Sequence, residues 1–128
     1  MSSPARILDT SAIARYVAAD GVTVSAVLSA LDANNLTALV PATCLSEAYW
    51  SVVDDDEPML DIFRTLPQIR VAPLEPGDAL AVGGLARFLG SLGMAHACLL
   101  AAAMQIPLMT TEPILAGKML RPQLIWEV

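Results

Sequence analysis

Basic residues are scarce in this chain of 128 residues: seven Lys and Arg stand against thirteen Asp and Glu, a net charge of −6. That balance disfavours any partner held mainly through phosphate contacts, because such contacts need protein cations to displace counterions. A nucleic-acid substrate would need metal ions to mediate its binding. Histidine occurs once, at His96, and cysteine twice, at Cys44 and Cys98, with no His or Cys at metal-ligand spacing. Neither a zinc site nor a disulfide framework is indicated, and the two thiols read as reduced and buried. Aromatic residues are also few, and Trp50, Phe63, Phe88 and Trp126 are too scattered in sequence to suggest a base-stacking platform. They read as core or interface. The N-terminal stretch lacks a long apolar core after its first Arg and carries Asp9, so it does not resemble a secretory signal. The longest uncharged run, Phe88 to Thr111, contains Gly93, His96, Gln105 and Pro107. Its helical part would span only ~18 Å against the ~30 Å of a bilayer core, so a buried helix followed by a buried strand is expected. A cytoplasmic protein without a membrane partner follows.

Apolar side chains are plentiful at 55% of residues, with 16% charged. A chain of this size forms one domain, residues 1–128, and buries roughly two-thirds of its unfolded surface without staples. The apolar surplus points to a subunit interface, most simply a two-fold homodimer.

Apolar periodicity and breakers place strands at ARIL, TALV, QIRVAPL, PLMTT and QLIWEV. Between them lie helices. Asp9-Thr10-Ser11 caps AIARYVAAD, and Gly21 and Thr23 restart a helix that ends at Asn34-Asn35, residues that tolerate a left-handed backbone. Pro41 opens ATCLSEAYWSVV, and the acidic run Asp54 to Glu57 with Pro58 leads into MLDIFRTL. A helix follows Pro76-Gly77-Asp78, Gly90 to Gly93 form a turn, and MAHACLLAAAMQ runs to Pro107. Glu112-Pro113 start a short helix. Alternating strands and helices imply an α/β fold: a mostly parallel central sheet of four to five strands with helices on both faces. In such sheets the chemistry collects beyond the carboxyl ends of the strands. Asp9 and Glu112 fall there, and Glu47 lies one to two turns into the helix after the second strand.

Three segments carry a family resemblance. ILDTSAIARYV resembles the opening strand and helix of PIN domains, PATCLSEAYW the segment with their helical Glu, and MAHACLLAAAMQIPLMTTEPIL their last motif. The match in order and spacing spans most of the chain. It implies a PIN-like three-layer α/β/α fold and the Mg²⁺- or Mn²⁺-dependent endoribonuclease activity of VapC-type toxins, with RNA as substrate and a VapB-like antitoxin as partner. Carried over by position, the resemblance makes Asp9, Glu47 and Glu112 catalytic metal ligands, with Glu112 where Asp is usual. Thr10, Ser11 and Thr110 would support them by hydrogen bonds. The family's remaining Asp falls on Met94.

That last departure matters chemically. Mg²⁺ wants hard oxygen ligands in octahedral geometry, and a thioether is a poor substitute that also removes about one unit of negative charge. Two ions become hard to hold, so one weakly bound ion, or none, is expected. Slow or absent cleavage follows, because misplacing a reacting group by an ångström can cost ~10²-fold in rate. The alternative is a catalytically lapsed PIN-like domain kept as an interaction or regulatory module. Plainer readings stand beside each residue. Asp9 serves equally as a helix N-cap, Glu47 as a solvated helix residue, and Glu112 as a helix-starting acid. His96 reads as a satisfied, partly buried residue rather than a general base. The acidic run 54–57 reads as a solvated junction. An unrelated α/β domain would keep the three acids apart.

Overall fold

The computed structural model of the chain describes residues 3–18 and 22–128. Gly21, read above as restarting the second helix, and the last two residues of AIARYVAAD lie outside the described residues. The chain runs β1 (Ser3–Leu8), α1 (Thr10–Val17), α2 (Val22–Ala33), β2 (Leu36–Pro41), α3 (Ala42–Ser51), α4 (Glu57–Phe63) and β3 (Ile69–Ala72). It continues through α5 (Ala79–Leu89), α6 (Leu92–Met104), β4 (Leu108–Thr110), α7 (Pro113–Ala116) and β5 (Ile125–Glu127). Single 3₁₀ turns at Asp54–Asp56, Pro76–Asp78 and Pro122–Leu124 lead into α4, α5 and β5.

The five strands form one sheet in the order β3-β2-β1-β4-β5, and every pairing is parallel. The central strand β1 is flanked on both sides, Ile7 pairing with Leu39 and with Leu108. Parallel strands covered on both faces read as continuous apolar runs rather than alternations, and β2 behaves so, with Thr37 to Pro41 all buried. Helices pack on the sheet in a three-layer α/β/α arrangement whose core includes Ile7, Leu8, Ile13, Leu28, Leu60 and Phe63. Each such large apolar side chain contributes about 1.5–3 kcal/mol when removed from water. No single helix among the described residues is long and apolar enough to cross a membrane. The uncharged run instead forms α6 and β4. Residues Gly93 to Cys98 and Ala101 are buried, so α6 passes through the interior with apolar contacts on several sides.

Two expectations about local structure need correction. Leu92 and Gly93 are the first residues of α6, not part of a turn, because the Ser91 hydroxyl accepts from the Met94 amide at 3.0 Å and so starts the helix earlier. The turn itself is Gly90, whose φ of 80° is the left-handed ending of α5. The first part of QLIWEV is likewise a 3₁₀ turn, leaving Ile125–Glu127 as the strand. Asn35, with φ 55°, ends the second helix as its residue type suggested.

The strand order decides where chemistry can occur. From β1 the chain moves outward through β2 to β3, then returns to the opposite side of β1 for β4 and β5. Helices following β1 and β4 therefore leave in different directions, opening a crevice at the carboxyl ends of these neighbouring strands. Asp9 directly follows β1, and Glu112 lies two residues beyond β4.

Candidate acidic site at the switch point of the sheet

Asp9 is 2% exposed and caps α1. Its Oδ1 accepts from the Ala12 amide at 2.9 Å and from the Ser11 hydroxyl at 2.6 Å. Its Oδ2 is buried without a hydrogen-bond partner. Burial pushes the carboxyl above the usual aspartate pKa; the Ser11 and Thr110 hydroxyls and the Ala12 amide oppose that rise, and the charge of Glu112 adds to it. The cap reading and a site reading of Asp9 are thus compatible, since capping engages one oxygen only.

Ser11 joins the two central strands at this point. Its hydroxyl accepts from the Thr111 amide at 2.9 Å and lies 3.3 Å from the Thr110 hydroxyl. Thr110, fully buried, in turn accepts from the Glu112 amide at 2.9 Å. The Glu112 side chain is exposed at the N-terminal end of α7 and makes no cap hydrogen bond.

Glu47 is held differently. Thr10 donates its hydroxyl to Oε1 at 2.7 Å, while Oε2 accepts from the Gly93 amide at 3.2 Å and, at 3.5 Å, from the Ser91 hydroxyl. One carboxylate thereby ties α3 to the start of α1 and to the first turn of α6. The contact depends on Gly93: a Cβ there would sit 2.1 Å from Glu47 Oε1 and 2.9 Å from the Thr10 hydroxyl oxygen. Met94 follows immediately, 3% exposed and part of the core.

Among the described residues, no three His, Cys, Asp or Glu side chains gather into a ready ligand set for a metal ion. The donors present nonetheless fit one hard divalent cation. Asp9 Oδ2 is an unused buried oxygen, and the Glu112 carboxylate is near enough for its charge to raise the Asp9 pKa. Mg²⁺ is commonly held by only one or two carboxylates with water and substrate completing the shell. Glu47 accepts hydrogen bonds at both oxygens and still keeps lone pairs on each, while Met94, next to Gly93, brings no oxygen ligand.

The other titratable candidates are structural. His96 is 1% exposed, and its Nδ1 lies 2.9 Å from the Thr43 hydroxyl. Burial holds its pKa below the usual value, against the charge of Asp78 and a hydrogen bond to the Pro73 backbone. Cys44 and Cys98 are free and buried, and burial drives both thiols upward, Cys98 to about 12. Neither is a thiolate at neutral pH. The acidic run is exposed along Asp54, Asp55 and Glu57. Phe63 belongs to the core, but Trp50 is 89% exposed and Phe88 and Trp126 are also at the surface. The roles of Ser91 and Gly93 escaped the sequence reading, although a Ser directly before a long apolar stretch was a usable capping signal.

No protein-family model matches the sequence, and no curated protein matches it. Solved structures do. The chain is similar to one in the crystal structure of VapBC2 from Rickettsia felis bound to a DNA fragment from their promoter, with a TM-score of 0.68 and 17% identity over 96% of this chain and 98% of that one. It is also similar to PAE2754 from Pyrobaculum aerophilum, with a TM-score of 0.62 and 18% identity over 98% of this chain and 92% of the other. At these identities the shared property is the fold, a PIN-like α/β/α sandwich of VapC type.

Proposed function

We propose that this chain is a VapC-like PIN-domain protein, a divalent-metal-dependent endoribonuclease whose acid centre of Asp9, Glu47 and Glu112 supports slow RNA cleavage through one bound ion instead of two. The observation that carries this reading is the buried Oδ2 of Asp9, without a protein hydrogen-bond partner, at the switch point of the sheet. A buried carboxylate oxygen without a partner costs on the order of 1–3 kcal/mol, and a cation removes that cost. The similarity in fold to a toxin–antitoxin complex supports the assignment, but a fold alone hosts many activities, so the site has to carry it.

Asp9 and Glu112 would hold the ion, with water and a phosphate oxygen completing its shell. Mg²⁺ or Mn²⁺ bound there would acidify a water molecule and offset charge developing on the phosphate. The protein's own part is positional. Ser11 fixes the rotamer of Asp9 and, through the Thr111 amide, its spacing from the end of β4. Thr110 holds the backbone from which Glu112 projects. Glu47, oriented by Thr10 and Gly93, would add negative charge to the crevice and keeps lone pairs through which it could ligate the ion directly. The net charge of −6 leaves little general attraction for RNA, so affinity must come from the bound ion and local contacts.

The associated partners are a VapB-like antitoxin and a second copy of the chain. Large exposed apolar side chains, among them Leu80 at 90% and Ile114 at 87%, support assembly with another protein surface. A cytoplasmic location is consistent with that role.

The test is RNA cleavage by the purified chain in Mn²⁺, compared with a variant carrying Asp9→Ala and Glu47→Ala. Cleavage above that control, increased by Met94→Asp, is the expected result; equal rates for parent and control refute the nuclease. A second reading, a lapsed PIN-like domain acting as an interaction module, is favoured by the engaged oxygens of Glu47 and the buried Met94. It predicts no rise in melting temperature with millimolar Mg²⁺ or Mn²⁺, whereas a rise that requires Asp9 contradicts it.

A further inference from the structure

Beside the acid centre lies an open cleft of about 380 Å³, walled by Ala42, Thr43, Ser46, Glu47, Trp50 and Leu92. Trp50 stands on α3 one turn beyond Glu47, and its side chain is the most exposed aromatic in the chain at 89%. Leu92, from the first turn of α6, is 53% exposed on the same cleft. We infer that this cleft is a nucleobase subsite, in which Trp50 stacks against a base of single-stranded RNA next to the phosphate held at the acid centre. The inference rests on the nuclease reading above and extends it to how substrate is held.

Four observations favour a planar, neutral, polar-edged ligand here. The cleft sets the apolar faces of Trp50 and Leu92 beside the exposed Ser46, while the Thr43 hydroxyl is already paired with His96 and the Glu47 oxygens with Thr10 and Gly93. A flat apolar face with one free hydroxyl at its edge suits a heterocycle better than an aliphatic side chain. It adjoins Glu47, so a strand whose phosphate lies at the acid centre has a neighbouring base within reach of Trp50. The chain's acidity removes the usual phosphate-driven affinity, and stacking on an aromatic is the sequence-tolerant source that remains. Finally, the other Trp is committed elsewhere: Trp126 carries the Arg6 guanidinium over its ring at 4.1 Å.

The test measures binding separately from cleavage. A fluorescein-labelled single-stranded oligoribonucleotide is titrated with the full chain in Ca²⁺, using fluorescence anisotropy, and the titration is repeated with an oligonucleotide of the same length lacking its bases. Trp50→Ala is expected to weaken binding of the normal oligonucleotide about tenfold or more, with Trp50→Phe staying close to the parent. The abasic strand should bind parent and Trp50→Ala alike. Because the side chain is exposed, both variants should melt with the parent. If the parent cleaves RNA yet Trp50→Ala binds it as well as the parent does, the subsite is wrong and the nuclease reading stands. If Trp50→Ala leaves RNA affinity intact but changes the sedimentation coefficient, Trp50 is a protein contact and the subsite is again overturned. Absence of both binding and cleavage in the parent removes the nuclease reading and the subsite with it.

Discussion

The two halves of the acidic crevice differ in how their carboxylates are satisfied. On the α3 and α6 side, Glu47 accepts hydrogen bonds at both oxygens from Thr10 and Gly93, with Ser91 nearby. On the β1 and β4 side, Asp9 has one oxygen engaged and one buried without a partner, and Glu112 is exposed two residues beyond β4 without a cap hydrogen bond. The first half is complete as protein. In the second, a buried carboxylate oxygen has no protein partner, and the proposed single-ion site rests on that atom. Met94, buried at 3% exposure, follows Gly93 on the first side, whereas the second side holds the one oxygen of Asp9 without a protein partner.

Gly93→Ala should have the largest effect on this contrast. Its Cβ would displace the Glu47 carboxylate and break a charged hydrogen bond to a backbone amide, at a cost of about 1–3 kcal/mol. Thermal unfolding measures it, and pairing the change with Glu47→Ala should recover part of the loss because the clash disappears. Strict additivity of the two changes would mean that Glu47 and Gly93 are not coupled. Thr10→Val comes next, about 1 kcal/mol, since it removes one donor to Glu47 and leaves the Asp9 side untouched.

Asp9→Asn should act in the opposite direction when metal is chelated. Because burial raises the folded-state pKa of Asp9 above the ordinary aspartate value of 3.8, its contribution to stability is full below that pH and is lost as pH rises through the folded pKa. The uncharged variant should thus melt above the parent at neutral pH, with the gap closing towards acid. A lower melting temperature at neutral pH would show that the ionised carboxylate is already satisfied. The smallest effect belongs to His96, which links α6 to Thr43 of α3. Its pKa is lowered by burial from 6.5, so its contribution is present above that value and lost as pH falls below it. His96→Gln should flatten the decline of melting temperature just below pH 6.5; an unchanged slope would place that decline elsewhere.

Much of this arrangement was readable from sequence. Continuous apolar runs marked the parallel strands, and Asp9 and Glu112 stood out because they fall just beyond the carboxyl ends of buried strands, although each also has an ordinary role at the start of a helix. Glu47 was a weaker candidate by position, one to two turns into the helix after the second strand, and the family pattern strengthened it, since a single Glu on a helix has no local signature. The partners of Glu47 were not legible. That Gly93 has no side chain because a carboxylate from α3 occupies the space is a fact about approach between residues 46 positions apart. The strand order was hidden for the same reason, as local periodicity says which segments are strands but not which neighbours they choose. From sequence Trp50 reads as core or interface, and its exposure removes only the first of the two, because the helix turns that face to solvent.

The most direct measurement is the number of Mn²⁺ ions bound per chain, counted by electron paramagnetic resonance of free ion during titration. One ion per chain, abolished by Asp9→Asn and retained in Thr10→Val, is the predicted result. Two ions per chain, or binding indifferent to Asp9, would contradict the division of the crevice into a closed half and an open one.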